Sequence, residues 1–232
     1  MKLEVLNLKK SFGNKEVLKN INFTFESGKI YGLLGRNGAG KTTFFNCLND
    51  DIKPDEGAFN MMEEENSRPL TIDDIGYVLS TPTVPEFLTG REFLKFFLEI
   101  NEGKIKDAKT IDEYFDFMKI EKEDRDKLLK DYSHGMKNKM QMLINIIANP
   151  NILLLDEPLT SLDVVVAEEM KEMLKSIKKE HILIFSTHIM DLALSLCDEI
   201  VILKNGTLSL VDNKLKGEKL KEKIIEMLRE DE

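Results

Sequence analysis

The spacing of apolar residues divides the chain into strand-like and helix-like stretches. Apolar and polar side chains alternate over much of the first 34 residues, and the apolar positions are Leu3, Val5, Leu8, Ile21, Phe23 and Phe25. A Ser27-Gly28 turn then leads into the apolar run IYGLLG. The start of the chain therefore predicts an antiparallel β section followed by a buried strand.

Longer apolar periods begin after this section and predict helices. These patterns cover residues 41–48, 90–100, 111–118, 136–148, 164–178 and 189–196. Two short, uninterrupted apolar runs stand between them, ILLL at 152–155 and ILIF at 182–185. Such runs are typical of parallel strands that are buried on both faces. We therefore predict an α/β fold with a mixed sheet core, an antiparallel β section and a helical subdomain.

The order of these patterns predicts three parts of the chain. Residues 1–80 and 151–210 are expected to form one discontinuous α/β domain. Residues 81–150 carry helical patterns and no convincing strand, which predicts a helical subdomain packed against the sheet domain. Residues 211–232 supply a C-terminal helix with one apolar stripe, which we expect to dock on another surface.

One helix of the predicted subdomain is apolar over an unusually wide face. It begins with the capping box TGRE, residues 89–92, and continues as REFLKFFLEI. Its apolar pairs are Phe93 with Phe97, Leu94 with Leu98, and Phe96 with Ile100. Two interpretations stay open: contacts on both sides within the domain, or a groove that receives a helix of a partner protein.

Composition limits the possible classes of protein. The 232 residues are 42% apolar, which is enough for a core, and the formal charge of -9 does not favour nucleic acid as a partner. Cys47 and Cys197 lie far apart without metal-type spacing, so we expect reduced thiols in the core. No segment resembles a signal peptide or reaches the roughly 18 apolar residues of a membrane helix. We therefore expect that the chain does not itself span a membrane.

A glycine-rich segment after the predicted buried strand has the pattern of a phosphate-binding loop. GLLGRNGAGKTT, residues 32–43, contains G-x-x-x-x-G-K-T between a strand and a helix. Its glycines let the backbone wrap around phosphate oxygens, and the helix start adds its positive end. Lys41 supplies a charge for the β- and γ-phosphates, and Thr42 a hydroxyl for Mg²⁺. The predicted loop consists of Gly35, Arg36, Asn37, Gly38, Ala39, Gly40, Lys41, Thr42 and Thr43.

Polar residues also follow the two buried strands. NILLLDEP ends with Asp156 and Glu157, and ILIFSTHIMD contains His188. Because ligands of open α/β sheets bind beyond the carboxyl ends of the strands, these residues are candidates for the same site. We expect Asp156 to hold Mg²⁺ through water, Glu157 to polarise the attacking water and His188 to reach the γ-phosphate. A purely structural role stays open for each, and His181, at the other end of its strand, is expected to be structural.

Taken in order, these segments resemble the ATP-binding cassette (ABC) family, and specifically the stand-alone ATP-binding subunit of a bacterial exporter-like transporter. The resemblance covers residues 1 to about 210. It implies that Phe12 stacks on adenine, that Lys41, Glu157 and His188 are catalytic, and that Thr42 and Asp156 hold Mg²⁺.

The segment YSHGM, residues 132–136, resembles the signature of this family, which is usually LSGGQ. SLD, ending at Asp163, resembles its D-loop. The resemblance implies a head-to-tail dimer with a second cassette, identical or paralogous. In such a dimer Ser133, His134 and Gly135, together with Asp163, act on the ATP that the other subunit's phosphate loop holds.

The signature and D-loop depart from the family pattern. Tyr132, His134 and Met136 stand in place of Leu, Gly and Gln, but the hydroxyl and the close-approach glycine of the signature are kept. SLDVVV lacks the usual proline after the aspartate. We expect function to survive both changes.

Ser80 is a more serious departure. In IGYVLSTP it stands where the family has a glutamine that contacts Mg²⁺ and links the site to the membrane subunit. A serine is too short for both tasks. We therefore expect slow hydrolysis or coupling, or another group that takes over the role.

The resemblance implies a cytoplasmic ATPase that dimerises around two Mg-ATP molecules on the inner face of the cell membrane. There it would drive a separate transmembrane permease that exports a peptide, drug or lipid-like substrate. Two alternatives stay open. The first is a soluble ABC ATPase that acts on a protein or nucleic-acid assembly, although the acidic charge argues against nucleic acid. The second is an ATP-binding regulatory module whose hydrolysis is weak because of Ser80.

Overall fold

The computed structural model describes residues 1–64, 66–105, 108–160, 162–212 and 214–229. Its strands are β1 (Lys2–Phe12), β2 (Lys15–Glu26), β3 (Ile30–Leu34), β4 (Glu56–Glu63), β5 (Asn66–Pro69), β6 (Ile75–Val78), β7 (Ile152–Asp156), β8 (Ile182–Thr187), β9 (Glu199–Lys204) and β10 (Thr207–Leu210). Its helices are α1 (Lys41–Leu48), α2 (Gly90–Ile100), α3 (Ile111–Phe117), α4 (His134–Ile147), α5 (Val164–Ile177), α6 (Met190–Leu196) and α7 (Glu218–Leu228). Ser161 of the predicted SLD segment, and residues 213 and 230–232 of the predicted C-terminal part, lie outside the described residues.

The strands form two sheets. The first is antiparallel, with the order β2-β1-β4-β5. The second has the order β10-β9-β3-β8-β7-β6 and is parallel except for the β9–β10 hairpin at its edge. Because β3, β8 and β7 are parallel neighbours, the segments that follow them emerge side by side at one edge of the sheet.

Helix α1 is buried between the two sheets. Phe44 and Phe45 of α1 belong to one apolar cluster with Leu3 and Phe25 of the antiparallel sheet and Leu154 of the parallel sheet. The ring centroids of Phe25 and Phe44 are 6.2 Å apart. The packing fixes α1, and with it the loop that precedes the helix, against both sheets.

The remaining face of the parallel sheet is covered by α2 to α5, which share one apolar cluster with β6, β7 and β8.

The buried aromatic ring of Phe115 connects helices α2 and α3. The ring centroid of Phe115 in α3 lies 5.8 Å from the Arg91 guanidinium and 5.3 Å from the Arg125 guanidinium. Both arginines also bind the Asp112 carboxylate, which joins α2, α3 and the loop that contains Arg125.

The wide apolar face of α2 divides into a buried and an exposed stripe. Phe93 and Leu94 are buried in the core, whereas the Phe96 side chain is 53% and the Ile100 side chain 62% exposed. The predicted capping box is confirmed, because the Thr89 hydroxyl accepts a hydrogen bond from the Glu92 N–H and the Glu92 carboxylate accepts from the Thr89 N–H. The contacts of α2 within the domain therefore use only part of its apolar surface.

The apolar stripe of α7 packs on the domain itself. Ile224 is fully buried and belongs to a cluster with Ala193 of α6 and Ile200 of β9. Leu220 and Met227 pack against the same cluster. The stripe is thus occupied by an intramolecular contact.

The predicted fold class is confirmed, and the predicted helices agree with α1 to α6 within two residues at their ends. Helix α4 begins at His134 rather than at 136, because Ser133 caps it. The strands β4, β5, β9 and β10 were not predicted. For the last hairpin a signal existed: Asn205-Gly206, with φ of 51° and 81°, joins the run EIVILK to TLSL.

Within the described ranges, which omit residues 65, 106–107, 161, 213 and 230–232, none of the helices has the length and apolar character required to span a bilayer.

The Asp74 carboxylate connects the segments that lead into strands β6 and β7 of the parallel sheet. Its buried carboxylate accepts two hydrogen bonds of 2.6 Å from Arg68, one of 3.0 Å from the Thr71 N–H and one of 2.7 Å from Asn151. These donors, led by the guanidinium, hold the pKa of Asp74 far below its usual range despite the opposing effect of burial. The carboxylate thereby connects β5, the 3₁₀ turn at Ile72–Asp74 and the segment before β7.

We expect Asp74→Asn to lower the free energy of unfolding at pH 7 by about 1–3 kcal/mol, because hydrogen bonds to a buried charge are lost. Since the native pKa is depressed, the contribution of the ionised carboxylate is complete above the unfolded pKa of about 4 and is lost as the pH falls further. The difference between the two proteins in urea titrations should therefore shrink below about pH 4. The control is Asp73→Asn, an exposed neighbour, for which we expect a change within about 0.5 kcal/mol. Equal effects of the two substitutions would contradict this role.

Candidate active site

The glycine-rich loop connects β3 to α1 in a conformation that only glycine adopts readily. Gly40 has φ of +106°, and a Cβ atom there would lie 2.9 Å from the Val17 side chain. Gly35 is buried, and a Cβ atom at that position would lie 2.8 Å from the carbonyl oxygen of Leu203. The sequence therefore forms a tight loop in front of the α1 N-terminus, whose free N–H groups favour an anion.

Lys41, the first residue of α1, directs its ammonium group back across this loop. Its Nζ donates a hydrogen bond of 2.8 Å to the Gly35 carbonyl and one of 3.4 Å to the Arg36 carbonyl. The side chain is almost fully buried, and burial lowers the pKa of the ammonium although Glu157 and Asp156 act in the opposite direction. Nζ lies 3.9 Å from Glu157 Oε1. A cation is thus held between the loop and the carboxyl ends of the strands.

A cavity of about 540 Å³ lies over the loop. At one end it is lined by the β1–β2 hairpin and at the other by residues that follow β6 and β7. Of the residues predicted from the sequence, the cavity is lined by Phe12, Asn37, Gly38, Gly40, Lys41, Thr42, Thr43, Ser80, Asp156 and Glu157. Gly35, Arg36 and Ala39 belong to the same loop but are not among its lining residues. An elongated anion with an apolar end matches this distribution of groups.

Asp156 joins the loop to two neighbouring strands. Its Oδ2 atom accepts a hydrogen bond of 3.0 Å from the Thr42 hydroxyl, and its Oδ1 atom accepts one from the Ser186 hydroxyl. The carboxylate is largely buried. Because β3, β8 and β7 are adjacent, the residues after β3 and at the ends of β8 and β7 converge on this one carboxylate.

Glu157 faces a different partner. Its Oε1 atom lies 3.0 Å from Nδ1 of His188, so the predicted acid and histidine are in direct contact. The alternation of side chains along an extended strand is not what separates the two acids. Strand β7 ends at Asp156, and Glu157 adopts φ of +49°. A left-handed turn separates the two side chains, and such a conformation costs about 1–3 kcal/mol in a residue other than glycine.

Ser186 is a site residue that the sequence analysis missed. Its hydroxyl donates to Asp156 and accepts a hydrogen bond of 3.1 Å from the Glu157 N–H, so one side chain holds both acids. It is completely buried within the run ILIFST. The available signal was its position at the carboxyl end of a buried strand. Lys15 and Val17, which also line the cavity, come from β2 and had no such signal.

The signature residues lie outside this cavity. Ser133 is the N-cap of α4, and its hydroxyl accepts a hydrogen bond of 3.2 Å from the Met136 N–H. Ser133 and His134 are exposed, and Gly135 is half-buried. The segment that resembles the family signature therefore forms the start of α4, and Ser133 and His134 there are open to solvent.

Asp163, the aspartate of the predicted D-loop, lies at the start of α5. This helix packs against α4, which begins in the predicted signature. Asp163 caps α5 through a hydrogen bond of 3.0 Å from the Val166 N–H to Oδ1. A Cβ atom at Gly135 would lie 3.3 Å from the Val166 side chain. One turn further along α4, Lys139 forms a buried ion pair of 2.7 Å with Glu169. The starts of α4 and α5 therefore form one packed unit.

The comparisons with known proteins identify the family. A profile described as ABC transporter matches residues 18–160, which is more than half of the chain. This chain belongs to the ABC transporter family. The uncharacterized ABC transporter ATP-binding protein MJ1023 of Methanocaldococcus jannaschii is 37% identical over 207 residues, covering 88% of this chain and 75% of that protein. The bacitracin transport ATP-binding protein BcrA of Enterococcus faecalis is 32% identical over 211 residues, covering 89% of this chain and 67% of that protein.

The fold of this ABC subunit is also that of solved cassettes. A dimeric, post-hydrolysis structure of the ATP-binding cassette MJ0796, bound to ADP and phosphate, has a TM-score of 0.73 at 22% identity. The match covers 94% of this chain and 98% of that chain. The chain is therefore an ATP-binding subunit of the ABC transporter type, with the predicted architecture.

Tyr132 replaces the leucine of the ABC signature and acts as an internal anchor. Its ring is buried against Gly90, where an added Cβ atom would come within 2.2 Å of the hydroxyl oxygen. The hydroxyl donates a hydrogen bond of 2.8 Å to the Asp124 carbonyl, and burial raises the pKa of Tyr132 to about 12. The larger residue therefore fits because α2 begins with glycine.

The oxygen atoms around Thr42 fit a magnesium ion. The Thr42 hydroxyl and the Asp156 carboxylate are hard oxygen donors in direct contact at the edge of the cavity. No group of three or more His, Cys, Asp or Glu side chains suited to a metal occurs in the part of the chain that the structure describes. A sparse protein ligand set of this kind suits Mg²⁺, which commonly completes its octahedron with water and phosphate oxygens.

We expect Ser186→Ala to lower the steady-state rate of ATP hydrolysis about tenfold, the equivalent of one hydrogen bond to a charged group. The reason is that Asp156 would lose a donor, and the Glu157 N–H would keep only its hydrogen bond of 3.2 Å to the main-chain carbonyl of residue 186. The matched control is Ser195→Ala, which removes an exposed hydroxyl that donates to the Leu192 carbonyl in α6. Wild-type turnover in Ser186→Ala would show that the bridge does not position the two acids.

Proposed function

We propose that this chain is the ATPase subunit of a membrane transporter. It binds Mg-ATP in the cavity beside the glycine-rich loop, dimerises head to tail with a second cassette and drives a separate permease. The observation that carries the proposal is the cavity itself. Within one space it combines an exposed aromatic ring, Phe12, with a cation, Lys41, and two acids, Asp156 and Glu157.

The binding step uses the two ends of the cavity differently. The Phe12 ring, 48% exposed, offers a face for the adenine base. The loop N–H groups and Lys41 bind the triphosphate at the other end. Thr42 and Asp156 would hold Mg²⁺, which supplies charge neutralisation on the β- and γ-phosphates when bound.

The hydrolytic step requires a base for the attacking water. Glu157 is held at the end of β7 by the Ser186 bridge, and the contact with His188 orients its Oε1 atom. We infer that Glu157 accepts the proton of the water while His188 contacts the γ-phosphate. Lys41, 3.9 Å from Glu157, stabilises the negative charge that develops on the phosphate.

Ser80 lines the same cavity, in the segment that follows β6. Gln141 of α4 lies beside the neighbouring backbone. With its amide oriented so that the nitrogen faces the Leu79 carbonyl, it donates to that carbonyl at 3.3 Å and accepts from the Leu79 N–H at 3.2 Å. We propose that this double contact keeps Ser80 beside the magnesium site. A water molecule between Ser80 and the metal would then replace the longer glutamine of the family.

The head-to-tail dimer explains why the signature lies outside the cavity. Ser133, His134 and Gly135 surround an open helix N-terminus, which is a site for an anion. Asp163 and the exposed Val164, at the start of α5, extend the same surface. In the proposed dimer this surface covers the ATP that the other subunit holds, as the dimeric relative suggests.

We expect Glu157→Gln to keep ATP binding and to lower turnover by ~10²- to 10⁴-fold, the usual contribution of a general base. Because hydrolysis is what reopens the proposed dimer, this variant should elute as a dimer with ATP and as a monomer with ADP. Activity assays and size-exclusion chromatography with light scattering measure both effects. The control is Glu172→Gln, a surface substitution on α5 that should change neither.

Wild-type turnover in Glu157→Gln would exclude the proposed base. If the variant lost turnover but stayed monomeric with ATP, Glu157 would remain the proposed base. The proposed dimer would then be contradicted.

Exposed apolar residues in α2 and in the loop before it support a membrane partner. The Phe87 side chain is 79% exposed, and Phe96 and Ile100 form the exposed stripe of α2. Glu86 pairs with Lys137 of the signature helix at 2.7 Å, so this region is connected to α4. We propose that it receives a cytoplasmic helix of the permease on the inner face of the membrane. Export of a peptide, drug or lipid-like substrate is suggested by the signature and by the bacitracin transport relative.

We expect Phe96→Asp to abolish co-purification with the membrane protein that the wild-type chain retains from detergent-solubilised membranes, while ATP hydrolysis by the isolated subunit stays within about twofold. The expectation follows from placing a charge in an apolar interface. The control is Leu210→Asp, which changes an exposed leucine on the edge strand β10. Unchanged co-purification of Phe96→Asp would contradict a permease contact at α2.

A further inference from the structure

Phe12, the aromatic residue at the end of the cavity, rests on a fixed cation. The ammonium nitrogen of Lys10, two residues earlier in β1, lies over its ring, 5.4 Å from the centroid. Lys10 is not among the residues that line the cavity, whereas Phe12 is. The ring therefore borders the cavity whereas the ammonium over it does not, and with the ring 48% exposed a ligand in the cavity can reach it.

The position of this ammonium is determined by its own hydrogen bonds. Nζ donates 2.8 Å to the Lys53 carbonyl and 2.9 Å to Asp55 Oδ1, and the Lys10 side chain is only 14% exposed. Asp55 is held in turn, since Oδ2 accepts a hydrogen bond of 2.7 Å from the Ser11 N–H and its own N–H donates 2.9 Å to the Lys9 carbonyl. These contacts hold the Lys10 side chain in one position, whereas an exposed lysine normally samples many rotamers.

A cation behind an aromatic ring has two effects on the opposite face. It restricts the orientation of the ring, so less entropy is lost when a flat ligand stacks on it. It also attracts the π electrons, which favours contact between the other face and an electron-rich base. Neither effect reaches the phosphate end of a nucleotide, which binds to the loop around Lys41.

We propose that Lys10 is a positioning residue for the nucleotide base: pinned by Asp55 and the Lys53 carbonyl, it makes the Phe12 ring a stacking platform. The inference rests on the proposed binding of ATP in this cavity, with the base at Phe12. It assigns Lys10 to base affinity and not to phosphate binding or to chemistry.

The test separates the two ends of the ligand. Dissociation constants are measured for Mg-ATP and for magnesium tripolyphosphate, which has no base. We expect Lys10→Met to weaken Mg-ATP binding about 2- to 5-fold, the size of a cation–π contact, and to leave tripolyphosphate binding unchanged. Lys10→Arg should restore Mg-ATP affinity, because a guanidinium can occupy the same position over the ring.

The matched control is Lys9→Met. Lys9 is the preceding residue of β1, and it pairs with Glu56 at 2.8 Å just as Lys10 pairs with Asp55. Its substitution removes the same charge without a ring contact, so both dissociation constants should stay at their wild-type values.

A fluorescence experiment reports on the ring itself. The chain contains no tryptophan, so Phe12→Trp introduces a single indole at the platform. We expect Mg-ATP, but not tripolyphosphate, to quench its emission, and the combination with Lys10→Met to require a higher ATP concentration for the same quenching.

Two results would overturn the inference while leaving ATP binding intact. One is wild-type Mg-ATP affinity in Lys10→Met, and the other is an equal loss for Mg-ATP and tripolyphosphate, which would indicate a general structural or electrostatic role. If the wild-type protein bound neither ligand, the proposed function would fail and this inference would fail with it.

Discussion

The hydrogen bonds of the Asp156 carboxylate are the constraint on which the site depends. Thr42 after β3, Ser186 at the end of β8 and Asp156 at the end of β7 meet because those three strands are parallel neighbours. The buried acid is held by two hydroxyl groups in an environment where an unpaired charge would be costly. Ser186 extends the network to the Glu157 N–H. This polar bridge therefore connects the phosphate loop to the proposed base, and a second hydrogen bond of 3.2 Å from the Glu157 N–H to the Ser186 carbonyl supports it.

A second set of contacts joins α4, which begins in the predicted signature, to α5, which follows the predicted D-loop. Gly135 allows the close approach of α5, and the Lys139–Glu169 ion pair holds the next turn. Gln141 on the same helix can hold the Leu79 backbone beside Ser80. Helix α4 thus connects three segments that are far apart in sequence: the predicted signature, the predicted D-loop and the segment that contains Ser80.

Much of the site could be predicted from local sequence because its parts are contiguous. The loop from Gly35 to Thr43 carries its own strand, turn and helix signals, and the ends of β7 and β8 are marked by polar residues after apolar runs. The contact between Glu157 and His188 was not visible, since it joins two strands and depends on a left-handed backbone at Glu157. Lys15 and Val17 enter the cavity only because the β1–β2 hairpin lies over the loop.

Local sequence patterns were enough to predict helices α1 to α6, the buried strands β3, β7 and β8, the phosphate loop, the helix cap at Thr89 and the family. These features depend on short-range periodicity and hydrogen bonding. Which faces are buried depends on packing that the sequence does not show: α7 packs on α6 and β9, and α2 keeps Phe96 and Ile100 exposed. The structure also decided that Ser186 joins both acids and that Lys10 lies behind Phe12. The physical reason is that these contacts connect residues on different strands and loops, so that only the packing of the sheets brings them within hydrogen-bond or van der Waals distance.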